Sequence, residues 1–165
     1  PRRTEIMDET AELSVEDLIT EEDMVVTISN EGYIKRNPVS LYRAQRRGGK
    51  GKTAMTTKEE DFVAQLMVAS THDYLLFFSD RGRVFRKKVY EVPQAGRAAR
   101  GKALVNLLPV EKGERISATL AIREFDDQHF IVMATKNGII KKTRLSEHQN
   151  IRANGIIAIR LDEDD

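Results

Sequence analysis

Residues 74–89 read YLLFFSDRGRVFRKKV, and the pattern of these residues indicates the fold class of the chain. Two runs of strand-forming residues, Tyr74 to Ser79 and Arg83 to Val89, flank the turn Asp80-Arg81-Gly82, which is the pattern of a β-hairpin. The pattern occurs twice more along the chain. Met24 to Ser29 leads through Asn30-Glu31-Gly32 into Tyr33 to Val39, and Phe130 to Thr135 leads through Lys136-Asn137-Gly138 into Ile139 to Leu145. The hairpins predict an all-β chain.

The hairpins belong to an internal repeat. Their glycines Gly32, Gly82 and Gly138 are 50 and 56 positions apart, and each is followed by a second glycine after 19, 19 and 17 positions. The second glycines are Gly51, Gly101 and Gly155. The longer second interval is explained by the polar stretch 123–128, which we interpret as an insertion in a turn.

Each repeat is predicted to contain four strands. In the first repeat these are Tyr33 to Val39, Lys52 to Met55, Phe62 to Ser70 and Tyr74 to Ser79. Four strands in about 40 to 50 residues are typical of a propeller blade. Residues 24–165 are therefore predicted to form a propeller-like domain of about two and a half to three blades.

Charge is distributed unevenly along the 165 residues, although the net charge is only +1. Residues 1–24 carry 2 basic and 9 acidic side chains, residues 25–104 carry 16 and 7, and residues 105–165 carry 9 and 10. We interpret residues 1–23, here called the acidic lead-in, as a linker or the tail of a preceding domain. The basic middle favours a polyanionic partner. No apolar run suits a membrane span and no signal peptide is evident, so a cytoplasmic location is expected.

The most basic stretch is Gln45 to Lys52, QRRGGKGK, here called the box loop. Its glycines let backbone N–H groups approach a phosphate, and its cations supply positive charge. The alternative is a flexible, solvated basic loop, and residue types alone do not separate the two. Residues 48–53 end like a nucleotide-binding P-loop, but they lack the preceding strand and following helix that this motif requires.

Further cations recur in register with the repeat. Four positions after each hairpin glycine stand Arg36, Arg86 and Lys142, and two positions after it stand Ile34, Val84 and Ile140. Because strands have a side-chain period of two, both sets lie on one face, with the apolar set expected between blades and the cations at the edge. The predicted basic rim comprises Lys35, Arg36, Arg43, Lys52, Arg86, Lys87, Lys88, Arg97, Arg100, Lys102, Lys141, Lys142 and Arg152.

A curved row of cations suits a bent DNA duplex, whose deformation requires many distributed phosphate contacts. No catalytic or metal site is predicted. The three histidines, His72, His129 and His148, have no metal-ligand spacing, and cysteine is absent.

Residues Gln45, Arg46, Arg47, Gly48, Gly49, Lys50 and Gly51 are identical to the box that marks the C-terminal domain of the DNA gyrase A protein. Residues 60–62, 70–73, 82–84, 88–90, 105–109, 124–125 and 133–135 resemble the same family in the same order. The resemblance implies a β-pinwheel of about six blades that exchange strands and wrap DNA around a basic outer edge. It also implies that Gln45 to Gly51 sets the handedness of the wrap, which allows negative supercoiling.

The resemblance further implies which parts of the enzyme lie outside this segment and which partners the segment has. Residues 1–23 would continue from a breakage-reunion domain that carries the catalytic tyrosine, and the sites for ATP and Mg²⁺ would lie outside this segment. The partners would be double-stranded DNA, the remainder of the gyrase A polypeptide, and the gyrase B polypeptide in an A2B2 assembly. Because the family has more repeats, the chain is expected to be a fragment with an open edge, which predicts strand-swapped association or a marginal fold.

A second hypothesis is a protein-interaction propeller. Its basic rim would bind an acidic partner, or residues 5–23 of its own acidic lead-in. The two hypotheses differ in topology, because DNA wrapping changes linking number and protein docking does not.

Overall fold

The computed structural model describes residues 14–42 and 61–165. The predicted strand Lys52 to Met55 lies outside these residues. The strands are β1 (Asp23–Ser29), β2 (Tyr33–Pro38), β3 (Val63–Ser70), β4 (Tyr74–Ser79), β5 (Arg83–Lys88), β6 (Lys102–Ala103), β7 (Ile116–Ile122), β8 (Phe130–Ala134), β9 (Ile140–Arg144) and β10 (Ile156–Ile157). One short helix, α1 (Leu104–Leu107), and 3₁₀ turns at Val15–Leu18, Val39–Leu41, Val89–Glu91 and Leu145–His148 complete the described part.

The strands form three antiparallel sheets, which we call blades 1 to 3. Blade 1 has the order β3-β1-β2-β6, blade 2 has β7-β4-β5-β10, and blade 3 contains β8 and β9. The all-β, propeller-like prediction is thereby confirmed. No helix in the described ranges is long and apolar enough to cross a membrane.

Blades 1 and 2 are each completed by a strand from the next repeat. Strand β6 pairs with β2 through Ile34 opposite Lys102, and β10 pairs with β5 through Val84 opposite Ile156. The second glycines make this exchange possible. A Cβ on Gly101, whose φ is +93°, would lie 2.3 Å from the carbonyl oxygen of Ile34, so only glycine lets this segment close onto blade 1.

Two apolar clusters hold the blades together. The first lies between blades 1 and 2 and includes Val26, Ile34 and Phe77, while the second lies between blades 2 and 3 and includes Leu76 and Val84. Neighbouring residues of β4 serve different clusters because successive side chains point to opposite faces of a sheet. The central strands of blade 2, β4 and β5, are therefore covered on both faces.

The prediction that the apolar column packs between blades is confirmed at Ile34 and Val84, which are both fully buried. It is wrong at Ile140, whose side chain is 71% exposed. The reason is that blade 3 contains two strands in the described residues and has no described sheet on its far side.

An acidic side chain closes each hairpin from a distance along the chain. The Asp61 carboxylate accepts a hydrogen bond from the backbone N–H of Glu31 at 3.0 Å, and Asp165 accepts one from the N–H of Asn137 at 2.7 Å. In blade 2, Glu114 accepts a hydrogen bond from the hydroxyl of Ser79 at 2.9 Å. The repeat is therefore visible in its polar contacts as well as in its strands.

Candidate nucleic-acid interface

The predicted interface is divided between described and undescribed residues. Arg43 and the box loop, Gln45 to Lys52, lie outside the described residues, so their assignment to DNA stays a prediction. The described members of the predicted rim are Lys35, Arg36, Arg86, Lys87, Lys88, Arg97, Arg100, Lys102, Lys141, Lys142 and Arg152.

Two arginines of the in-register column join neighbouring repeats. Arg36 is half-buried, and its Nε donates a 2.6 Å hydrogen bond to the carbonyl oxygen of Val92. Arg86 is also half-buried, and its Nη1 donates to the carbonyl oxygen of Gln149. Burial lowers the pKa of Arg36, and the nearby carboxylate of Glu22 acts in the opposite direction. Both arginines therefore bind the next repeat with part of their donor set.

The third member of that column, Lys142, is more exposed to solvent than Arg36 and Arg86. Lys142 is exposed, and its ammonium lies 4.2 Å above the ring centroid of Phe130. Lys141, beside it, is exposed but donates a 2.8 Å hydrogen bond to the carbonyl oxygen of Ala158. Lys87 is half-buried. Of the three members of the column, therefore, Lys142 on blade 3 is the exposed one.

Lys35 requires a correction, because it does not lie on an exposed rim. Its side chain is fully buried, and its ammonium donates hydrogen bonds to the carbonyl oxygens of Gly96, Arg97 and Ala99. Burial lowers the pKa of Lys35. The sequence contains a pattern that distinguishes Lys35 from the cations at the edge. Lys35 lies between Ile34 and Arg36 in β2, so its side chain points to the opposite face of the strand.

The segment that covers Lys35 is residues 93–101, here called the Arg97 loop. Its Arg97 and Arg100 are partly exposed, and the Arg100 guanidinium lies 5.0 Å from the ring centroid of Tyr33. The following Lys102 is exposed, as is Arg152 in the equivalent loop of the next repeat. These four residues are accessible cations of the predicted rim, as are Lys141 and Lys142 on blade 3.

The sequence places Arg47, Arg97 and Arg152 in equivalent loops of the three repeats, and the likeness between the first two loops extends beyond this shared arginine. When Gly101 is aligned with Gly51, residues 95–102 read AGRAARGK against QRRGGKGK at 45–52. Arg97, Arg100 and Lys102 then match Arg47, Lys50 and Lys52. The Arg97 loop is therefore a second, weaker copy of the box loop pattern. Aligning the repeats on the second glycine is enough to find it.

The end of the acidic lead-in contacts the edge of blade 2. The Thr71 hydroxyl donates a 2.8 Å hydrogen bond to the carbonyl oxygen of Thr20, and the His72 Nε2 lies 2.8 Å from the carbonyl oxygen of Ile19. Glu16 then reaches Lys88, with 3.2 Å between its Oε1 and the ammonium nitrogen. Lys88 is therefore already paired with an acid, and its ammonium also lies 3.7 Å from the Tyr74 ring centroid.

In residues 14–42 and 61–165, no group of three or more histidine, aspartate or glutamate side chains is arranged to hold a metal ion. Asp126 accepts hydrogen bonds from the backbone and ring of His129, and these lower the pKa of Asp126. This pair closes the turn that precedes β8.

Blades that exchange strands, two inter-blade cores and a cationic edge define a propeller-type β-domain. The chain belongs to the family described as the DNA gyrase C-terminal domain, β-propeller, which it matches over residues 23–70, 73–123 and 129–165.

Similar proteins include the DNA gyrase A proteins of Escherichia coli and Campylobacter jejuni. The first is 54% identical over 164 residues, or 99% of this chain, and the second is 49% identical over 165 residues, or 100% of this chain. The chain spans only 19% of the length of each of these relatives.

Solved structures share the fold. The C-terminal domain of DNA topoisomerase IV superposes with a TM-score of 0.73 at 25% identity, covering 88% of this chain and 44% of that one. The DNA gyrase A C-terminal domain superposes with a TM-score of 0.67 at 23% identity, covering 86% of this chain and 45% of that one.

Proposed function

We propose that this chain binds duplex DNA without sequence specificity and wraps it as part of the C-terminal domain of a bacterial gyrase A protein. The observation that carries the proposal is the repetition of a basic loop. Arg97 and Arg100 lie in the loop of one repeat, with Lys102 directly after it, and Arg152 lies in the equivalent loop of the next repeat. All four side chains are at least partly accessible. The family membership supports the same function.

Physical chemistry favours wrapping over binding at one point. Bending 20 to 30 base pairs by 40 to 90° costs on the order of 1 to 6 kcal/mol, so contacts must be spread along the duplex to offset it. Loops at successive blades provide such spacing, and they meet the phosphate backbone rather than base edges. If about six to ten cations contact phosphate, affinity falls about 10³ to 10⁵-fold between 50 and 200 mM salt.

The box loop is proposed to fix the handedness of the wrap, with Arg46, Arg47 and Lys50 as its phosphate contacts. The wrapping would enable ATP-dependent negative supercoiling by the whole enzyme. On this proposal the present segment has no catalytic activity and binds no cofactor. The catalytic tyrosine and the ATP and Mg²⁺ sites belong to the remainder of the gyrase A polypeptide and to the gyrase B polypeptide. The whole enzyme is proposed to act in the cytoplasm.

The alternative, a protein-interaction propeller, receives no support from the relatives, which are gyrase A proteins. The contact of Glu16 with Lys88 shows only that the acidic lead-in reaches one cation of the predicted rim. We therefore treat that contact as a feature of a DNA-binding domain.

The proposal is tested by ligating nicked circular plasmid in the presence of the chain and measuring the change in linking number on a gel. We expect a shift toward positive writhe that disappears when Arg46, Arg47 and Lys50 are replaced by alanine. A matched control replaces Lys112, Arg115 and Arg160, which lie outside the predicted rim, and should keep the shift. Retention of DNA without a shift would reject wrapping by this segment, and absence of binding would reject the proposed function.

A further inference from the structure

Lys35 is the one described member of the predicted rim that is fully buried, and it lies beneath the Arg97 loop. An ammonium group has three N–H donors. All three are used, with distances of 3.2 Å to the carbonyl oxygen of Gly96 and 2.9 Å to that of Ala99, and a third bond to Arg97. Every donor of this side chain therefore holds the same short loop.

No acid among the described residues neutralises the charge of Lys35. Among the described residues its ammonium forms no ion pair, and its partners are the carbonyl dipoles of the loop. A buried, unpaired charge opposes folding, as the lowered pKa of Lys35 also indicates. A methionine of similar shape would fill the same space without this cost, so core packing alone does not account for a lysine here.

Neighbouring contacts fix the two ends of the loop. At its start, the backbone N–H of Arg36 donates a 3.1 Å hydrogen bond to the carbonyl oxygen of Pro93, and the amide of Asn37 donates to the carbonyl oxygen of Ala95. At its end, Gly101 packs directly on the backbone of Ile34. Residues 96–99 between these ends are held by Lys35.

This arrangement has a consequence for the cations of the loop. Carbonyl oxygens that point inward to an ammonium do not face an approaching phosphate, which they would repel. Arg97 and Arg100, by contrast, are partly exposed. A loop released from Lys35 could turn its carbonyl groups outward and would have to be ordered again on binding, at the expense of affinity.

We infer that Lys35 is a positioning residue for DNA binding, whose buried ammonium gathers the carbonyl groups of the Arg97 loop so that Arg97 and Arg100 contact the phosphate backbone. The inference rests on the proposed function and extends it. Lys35 itself touches no DNA, which separates it from the other cations of the predicted rim.

The test compares salt dependence of binding, because each phosphate contact adds about 0.9 to the slope of log affinity against log salt. The variants are Lys35→Met, the pair Arg97→Ala and Arg100→Ala, and all three changes together. Lys112→Met is the matched control, since Lys112 is an exposed lysine outside the predicted rim and its loss changes net charge equally. Binding to a linear duplex is measured between 50 and 200 mM KCl, and thermal melting shows that each variant is folded.

We expect Lys35→Met to lower the slope by about 1.8, as the arginine pair does, because two phosphate contacts are lost in each case. Between 50 and 200 mM KCl, the DNA affinity of the wild-type chain should then decrease by a factor about ten times larger than the factor for Lys35→Met. The triple variant should show no further decrease, and Lys112→Met should keep the wild-type slope. If Lys35→Met does not melt cooperatively, Lys35→Gln replaces it. Because its amide keeps two N–H donors for the loop, it should lower the slope by less than the arginine pair does, and a wild-type slope would overturn the inference.

The possible failures are distinguishable. A wild-type chain without salt-dependent DNA binding would overturn the proposed function, and the inference with it. A lower slope for the arginine pair alone, with Lys35→Met unchanged or only less stable, would overturn the inference and leave the proposed function intact. Additive slopes in the triple variant would also overturn it, because they would indicate that Lys35 acts as an independent charge.

Discussion

The carboxylate of Glu114 and the hydroxyl of Ser79 lie 2.9 Å apart in a fully buried hydrogen bond. Glu114 also accepts hydrogen bonds from the Arg83 guanidinium at 3.0 Å and from the backbone N–H of Glu111 at 3.1 Å. Glu114→Ala would leave these donors without their acceptor in a buried site. We expect the free energy of unfolding to decrease by about 3 kcal/mol, measured by urea denaturation.

The neighbouring Glu111 provides the control. Its carboxylate pairs with Arg81 at 2.6 Å, but both side chains are largely exposed. Glu111→Ala should therefore change the free energy of unfolding by less than about 1 kcal/mol. Equal losses in the two variants would show that the burial of Glu114 does not determine its contribution.

The second prediction concerns Gly101. Gly101 and Gly32 have similar φ angles of +93° and +87°, so an alanine at either position carries a similar backbone strain of about 1 to 2 kcal/mol. Only at Gly101 would the new Cβ also meet a backbone oxygen, that of Ile34 at 2.3 Å, whereas Gly32 has open space. We expect Gly101→Ala to lower the melting temperature clearly more than Gly32→Ala does. Similar melting temperatures would mean that the contact between β6 and β2 relaxes without cost.

The third prediction is a loss of stability in mild acid. His148 is 3% exposed, its Nδ1 has no hydrogen-bond partner among the described residues, and burial lowers the pKa of its imidazole below 6.5. The unfolded chain therefore binds a proton first as pH falls, so the free energy of unfolding decreases from about pH 6.5 down to the folded pKa. Urea denaturation at pH 7.5 and pH 5.5 should show the decrease.

In His148→Gln the decrease over this pH range should be smaller, because the titrating group is absent. The lowered pKa of Asp126, caused first by the backbone hydrogen bond from His129, acts in a separate window. That carboxylate loses its contribution only below its ordinary value of 3.8. An unchanged pH dependence in His148→Gln would assign the mild-acid loss to another group.

The fourth prediction concerns the pair of Glu16 and Lys88, which are separated by 3.2 Å. If the chain binds DNA as proposed, DNA and Glu16 would compete for the ammonium of Lys88. Such partly exposed pairs contribute at most about 1 kcal/mol, so Glu16→Gln should raise DNA affinity by up to about fivefold at low salt. Glu163→Gln, at an exposed glutamate distant in sequence, removes the same charge and serves as the control. An equal gain in both variants would indicate a general effect of net charge.

The positions of the hairpins could be predicted from the sequence because they depend on residues that are close together along the chain. The predicted Tyr74 to Ser79 coincides with β4, and the predicted Arg83 to Val89 ends one residue later than the observed β5. A turn glycine between two runs of strand-forming residues is sufficient for this purpose. The same local pattern also predicts that Ile34 and Val84 are buried between blades, as they are.

Other features depend on contacts between repeats, which no local pattern contains. Strands β6 and β10 have only two residues each, so they show no periodicity from which their ends could be predicted. The assignment of Lys35 to the rim is wrong because the partner of its ammonium is a loop more than 60 residues away. The assignment of the box loop to DNA stays a prediction because the loop lies outside the described residues.

Strand exchange also governs the order in which the chain can fold during its synthesis. Strand β2 ends at Pro38 and its outer partner β6 begins at Lys102, a separation of 64 positions. At about 5 to 20 residues per second, the ribosome needs about 3 to 13 seconds to supply that partner. Throughout this interval the positions of β2 that pair with β6 remain unpaired and able to accept a strand from a neighbouring nascent chain. A polysome is therefore the place where incorrect pairing between two copies would begin, and a translational pause before β6 would increase it.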